Sequence, residues 1–248
     1  MSEPAHFPLD WRVFRLSGPD RKEFLHGLVT NDVKGMAPGR DLWCCLLTPK
    51  GRLQAHFWVY DEPEGLALVC PSESAENARA ALAKMVMLSE SALSEPPEKV
   101  FWTSVPGPRP CAALGGWFSP APAGRALGAC EFERLRIERG VPRFGVDADA
   151  ETIPLEARLE PAISYAKGCY MGQETISRIH HMGHVNRLLA RLKFEGPAPA
   201  PGAPVLKDGA EVGKITSAAG DLALAMVKRE VAAPGTALSA GPSHARVL

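Results

Sequence analysis

The sequence predicts an α+β protein that ends in a small β-barrel, on three observations. Apolar runs in hairpin order are intermixed with helical stripes over the first part of the chain, which favours α+β over a doubly wound sheet. Gly196-Pro197-Ala198-Pro199-Ala200-Pro201-Gly202 can hold neither a helix nor a central strand, so it marks a boundary. Short strand patterns with glycine turns follow at residues 203–206, 210–217, 222–227 and 245–248. The expected units are residues 1–193 and 194–248.

Residues 11–16 alternate and read as a strand. Ser17-Gly18-Pro19-Asp20 is a helix-start signal, and Phe24, Leu25 and Leu28 then share a helical face. Residues 42–47 and 53–60 are strand candidates joined by the turn sequence Thr48-Pro49-Lys50-Gly51, which predicts a hairpin. Another strand covers 66–70. Ser72 or Ser74 is placed to cap a helix to about Leu88, with Ala78, Leu82, Met85 and Val86 inward. Residues 94–97 break the chain. Strands are expected near Val100 and Ala112, then a Pro/Gly-rich connection at 115–124. Residues 131–138 read as a short helix that Gly140 ends.

The chain has 248 residues, 46% of them hydrophobic, enough for a sizeable core. Lys+Arg and Asp+Glu are 28 each, and zero net charge argues against a broad nucleic-acid footprint, so no direct nucleic-acid partner is expected. No stretch approaches the roughly 18 apolar residues of a membrane span. Residues 1–10 lack the basic-then-apolar order of a signal peptide, so a cytoplasmic protein with no membrane partner is expected. None of the six cysteines forms a C-x-x-C pair, and neither a zinc nor a thioredoxin-like site is signalled. Cys44, Cys45, Cys70, Cys111 and Cys130 read as small buried residues.

Cys169 stands apart. Residues 164–174 read as a strand end, a glycine-punctuated turn and a helix starting near Gly172, with Ile176 and Ile179 as its buried stripe. A thiol just ahead of a helix N-terminus meets the positive end of the dipole. In an extended segment Lys167 shares its face, and both effects favour thiolate, while Glu174 opposes them. The other reading is a buried cysteine in a tight turn. His180, His181 and His184 lie near Arg178 and Arg187, where they make a local cationic patch. Gly183 ends the helix between His180 and His184 and no H-E-x-x-H pattern is present, so no metal site is expected. Residues 136–147 and 153–156 are loops fixed by Pro and Gly, and they carry Arg143 and Glu156. From the residue alone Glu156 reads as a solvent-exposed glutamate at a helix start, over the alternative of an acceptor for the donor edge of a pterin.

Lys167-Gly168-Cys169-Tyr170-Met171-Gly172-Gln173-Glu174 resembles the signature of the YgfZ-type folate-binding proteins, in the superfamily of the glycine-cleavage T-protein. The blocks at residues 16–33, 46–52, 136–145, 153–156 and 211–217 resemble the same family, so the likeness covers nearly the whole chain. It implies two α+β subdomains around a folate pocket with a barrel beside them, and tetrahydrofolate as ligand. Asn31, His56, Arg143 and Glu156 would contact the folate; Cys169 and Lys167 would be the functional pair. It further implies assembly or repair of iron–sulfur clusters in other proteins, including tRNA-modifying enzymes, with those enzymes or assembly proteins as partners. True aminomethyltransferases carry an essential Asp in the hairpin, and matching the hairpins from Gly51 puts His56 there. A histidine exchanges protons near neutral pH but supplies no fixed negative charge. That difference leaves a folate-dependent C1 transferase acting on an amine, or a folate-binding scaffold, as the other readings.

Overall fold

The structure, a computed structural model, describes residues 3–37 and 39–248; Met1 and Ser2 of the polar N-terminal segment lie outside them. Strand β1 (Ala5–Leu9) precedes β2 (Trp11–Ser17), then come helix α1 (Arg21–Leu28) and strands β3 (Leu42–Leu47), β4 (Leu53–Glu62) and β5 (Gly65–Pro71). Helix α2 (Ser72–Val86) is followed by β6 (Ala92–Ser94), β7 (Val100–Thr103), β8 (Arg109–Cys111), β9 (Gly116–Ser119) and β10 (Arg125–Ala126). Helices α3 (Ala129–Arg139) and α4 (Gln173–Met182) lead to β11 (Arg187–Phe194), β12 (Pro204–Lys207) and β13 (Ala210–Ala219). The chain ends in β14 (Leu222–Lys228), β15 (Ala237–Ala240) and β16 (Ser243–Val247).

Two five-stranded sheets make the first part, ordered β3-β4-β5-β2-β6 and β10-β1-β7-β9-β8. One face of the first sheet packs on α1 and α2 through Phe14, Leu16, Leu25, Phe57, Leu68 and Leu82. Its other face meets the second sheet and α3 through Val13, Trp58, Val69, Trp102, Phe118 and Phe132. Strand β5 is therefore covered on both sides, which is why it reads as a continuous apolar run. The hairpin expected around Thr48-Pro49-Lys50-Gly51 forms, pairing Leu42 with Val59 at one end and Leu47 with Leu53 at the other.

Some local expectations change. Helix α2 starts directly after Pro71, so Ser72 and Ser74 lie inside it and neither caps it; it stops at Val86. The Pro/Gly-rich connection at 115–124 contains β9, because Phe118 is drawn into the aromatic core. No strand precedes the cysteine motif: the chain bends at residues 165–167. Gly140 ends α3 in the left-handed conformation expected of it.

The second unit is a closed barrel ordered β11-β14-β13-β12-β15-β16, filled by Leu192, Val205, Ile215, Ala225 and Val247. Strand β11 pairs with both β14 and β16, so closure takes in a strand that lies ahead of the Pro-rich segment. Helix α3 docks on the barrel through Ile137 against Leu189, Leu222 and Leu224. Beside that contact, buried Arg136 donates to Val141 O (2.6 Å), Asp147 (2.7 Å), Glu133 (2.6 Å) and Ser217 Oγ (2.7 Å). Ser217 Oγ in turn donates to Asp147 (2.7 Å), so one charge cluster joins α3, the 141–147 loop and β13.

Candidate functional site

The bend at residues 165–167 separates the two reactive side chains of the motif. Cys169 is exposed. Lys167 turns inward, its Nζ donating to the carbonyls of His26 and of Val29 (2.6 Å) and lying 5.0 Å from the centre of the Tyr170 ring. Those carbonyls are at the C-terminal end of α1, where a helix leaves acceptors unsatisfied and favours a cation. Burial holds the ammonium down to about 8, with the neighbouring Cys44 and Asp32 pulling the other way. The face shared by Lys167 and Cys169 is thus not formed, because the segment is bent rather than extended. Gly172 is the N-cap of α4 at φ +81°, and an added Cβ there would meet Thr48 O at 2.5 Å. The hairpin turn packs against the start of α4 at this point, with Thr175 Oγ1 donating to Lys50 O (3.2 Å).

The main cavity lies elsewhere. It has a volume of about 740 Å³ and opens between the two sheets, α3 and the barrel. Phe7, Trp11 and Phe132 give it apolar ring faces, Phe7 and Phe132 being stacked at 4.4 Å. His56, Glu133, Arg136 and Arg143 supply polar groups, and the exposed thiol of Cys130 lines it at the start of α3. Trp11, Trp58 and Trp43 stack in sequence with centroids 5.3 and 5.1 Å apart. Trp43 lines a second cavity of about 490 Å³ on the far side, and Val141 lines both.

His56 is fully enclosed, and Trp43 Nε1 donates to its Nδ1 (3.3 Å). Burial is the main cause that holds its pKa down to about 4; the Pro142 carbonyl raises it and Arg136 lowers it further. The ring is therefore neutral at pH 7. His56 Nε2 and Arg143 Nε have almost no accessible surface and no partner within 3.5 Å among the described residues, and the Pro142 carbonyl is the acceptor that faces the His56 ring.

The four residues expected to contact folate do not converge. His56 and Arg143 line the main cavity, whereas Asn31 lines the second one. The Asn31 amide is engaged by Trp43 O (2.9 Å), Pro161 O (3.3 Å) and Asp32 N (2.9 Å). Glu156 lines neither cavity. Its carboxylate accepts from Ile153 N (2.9 Å) and from Arg187 (3.0 and 3.3 Å), which ties the 153–156 turn to β11. A carboxylate so occupied is a structural anchor, and the expected pterin contact has no support in this geometry.

Cys44, Cys45, Cys70 and Cys111 are buried, and burial pushes all four thiols up, Cys44 and Cys70 to about 12. Cys130 corrects the expectation of burial: it is exposed, because the helix starts at Ala129 and turns the thiol into the cavity mouth. That start, just before the helical pattern at 131–138, was the signal for it in the sequence. Nothing in the pattern marks Trp43 or Trp11. His180 stacks on Tyr165 at 3.7 Å and lies edge-on to His181 at 4.9 Å, and the described residues hold no cluster able to bind a metal ion.

The family described as CAF17, C-terminal beta-barrel domain, matches residues 187–248, starting where β11 starts. The human mitochondrial iron-sulfur cluster assembly factor IBA57 is 30% identical over 278 residues, covering 91% of this chain and 78% of that protein. The tRNA-modifying protein YgfZ of Yersinia enterocolitica is 25% identical over 224 residues, covering 73% of this chain and 68% of its own length. The crystal structure of the glycine cleavage system aminomethyltransferase T from Bartonella henselae matches with a TM-score of 0.84, over 100% of this chain and 85% of that one, at 18% identity. That last likeness is one of fold. Barrel and length of match agree, and the chain belongs to the IBA57 and YgfZ family, built on the aminomethyltransferase-like fold.

Proposed function

We propose that this chain is a cytoplasmic, tetrahydrofolate-binding protein that supports assembly or repair of iron–sulfur clusters in other proteins, tRNA-modifying enzymes among them. The observation that carries the folate half is the main cavity. Its volume of about 740 Å³ falls in the range of small-molecule sites. Its aromatic faces suit a flat pterin, and Arg143 at its edge suits a carboxylate tail. The iron–sulfur half rests on what the relatives are named for. Cys169, an exposed thiol just ahead of α4, is the group offered to a partner protein, a cluster or a folate adduct.

Calorimetry with tetrahydrofolate tests the first half, and binding should protect Cys130 from iodoacetamide while leaving Cys169 open. No heat and no protection would exclude the folate. Complementation tests the second: cells lacking this protein should recover the activity of cluster-dependent tRNA-modifying enzymes with the wild type and fail to with Cys169→Ser. Full recovery with that variant would reduce Cys169 to a surface residue.

A further inference from the structure

A further cavity, of about 410 Å³, lies where the C-terminal end of α3 meets the barrel, and it shares no lining residue with the main cavity. Its apolar lining includes the buried Leu189 and Leu224, and its charged side chains are Arg139, Arg158 and Arg191, all exposed. Among the described residues no Asp or Glu lines it; Asp41 and Glu138 line the adjoining cavities, where Asp41 accepts from Ala112 N (3.0 Å). Arg134 and Arg136 on α3 and Arg187 on β11 are ion-paired, but these three form no ion pair among the described residues. Arg139 lays its guanidinium over Gly115, where an added Cβ would stand 2.6 Å from Nη2. Arg191 runs along Gly140 and spends one N–H on Glu138 O (2.7 Å), which leaves its other donors open. Cations at the end of a helix are favoured by its dipole, and that accounts for Arg139 and Arg191. It does not account for Arg158, which belongs to another segment and holds a left-handed backbone at φ +58°. Glycine adopts that conformation freely and arginine does not, and such strain is kept where the side chain is used.

We propose that this cavity is a binding site for a compact polyanion, a small molecule carrying two or more phosphate or carboxylate groups. Planar guanidinium forks match both oxyanions and hold them through paired hydrogen bonds. Three forks from three segments of the chain, with no carboxylate side chain among them, fit more than one oxyanion. The volume falls in the small-molecule range, and a net charge of zero supplies no wider basic surface for a nucleic acid. Bound there, the polyanion ties α3, the turn at Arg158 and β11 together and so stabilises the docking of the barrel. The site is independent of the folate reading.

The test is calorimetry of the full chain with pyrophosphate and with citrate, at an ionic strength held constant with sodium chloride. The wild type should bind at one site per chain. Binding of pyrophosphate alone identifies phosphate groups, of citrate alone carboxylates, and of both a site that selects for charge and spacing. Arg139→Gln and Arg191→Gln should each weaken binding about tenfold. Arg125→Gln, at an exposed arginine paired with Glu131, should leave it unchanged. Arg158→Gly removes the guanidinium and relieves the left-handed backbone, so it should weaken binding while the melting temperature stays the same or rises; an arginine with only a structural role would not separate the two. Tetrahydrofolate should not displace the bound anion. Failure of both probes to bind, wild-type affinity in Arg139→Gln or Arg158→Gly, an equal loss in Arg125→Gln, or displacement by tetrahydrofolate overturns the site.

Discussion

Gly168 and Gly172 both punctuate the cysteine motif, but only one is required by the backbone. An added Cβ at Gly168 meets nothing within 4 Å, whereas at Gly172 it meets Thr48 O at 2.5 Å and the backbone is left-handed. Gly172→Ala should therefore destabilise by about 1–3 kcal/mol, and Gly168→Ala should stay within about 0.5 kcal/mol, in urea unfolding. An equal effect would mean the hairpin turn does not press on α4. His56 gives a second prediction at this scale. Its folded pKa, about 4, is below its ordinary 6.5. Above pH 6.5 both states are neutral at this group. As pH falls from 6.5 toward 4 the unfolded chain takes up a proton that the folded one refuses, and stability drops by on the order of 3 kcal/mol. His56→Gln should flatten that part of the stability–pH curve, measured against wild type.

At the scale of elements, Lys167 joins the motif to the end of α1. Its ammonium holds two carbonyls that the helix leaves open. Lys167→Ala should cost about 1–3 kcal/mol and speed amide exchange at residues 26–29. It should leave the alkylation rate of Cys169 unchanged, since the two side chains diverge. Slower alkylation with intact stability would restore the lysine as the activator of the thiol. The cysteines divide in the same way. Cys130 and Cys169, each beside a helix start, should react with iodoacetamide at once, and the four strand cysteines inside the core only on unfolding.

At the scale of the molecule, the barrel is held to the first unit by Arg136, Asp147 and Ser217. Asp147 is enclosed and accepts from Arg136 and Ser217 and from Arg143 N (2.9 Å). Asp147→Ala leaves the Arg136 charge buried without that partner and should cost about 3–5 kcal/mol. Because Arg136 and Ser217 line the main cavity, the folate affinity proposed for it should fall with it. A two-step thermal unfolding trace would show the barrel parting from the rest; a single unshifted transition would show that the cluster carries little of the docking. The cavity depends on this assembly, since β1, β4, α3 and β13 each contribute to its wall.

The sequence by itself determined the local structure and the family. Alternation marked β2, apolar runs joined by a turn sequence marked the β3–β4 hairpin, glycine ended α3, and glycine turns after the Pro-rich segment marked short strands of a barrel, because period and turn chemistry act within a few residues. The motif at 167–174 carried the family, since residue identity needs no fold to be read. What tertiary structure decided was which side chains meet. Lys167 was drawn to the end of a helix 138 residues earlier in the chain. Glu156 was taken by Arg187, and His56 met Trp43 across a strand pair. Strand β9 was set by the need of Phe118 for the aromatic core, and β11 by the closure of the barrel. Each of these depends on partners distant in sequence, brought together only when burial and hydrogen bonding of the whole chain are satisfied at once.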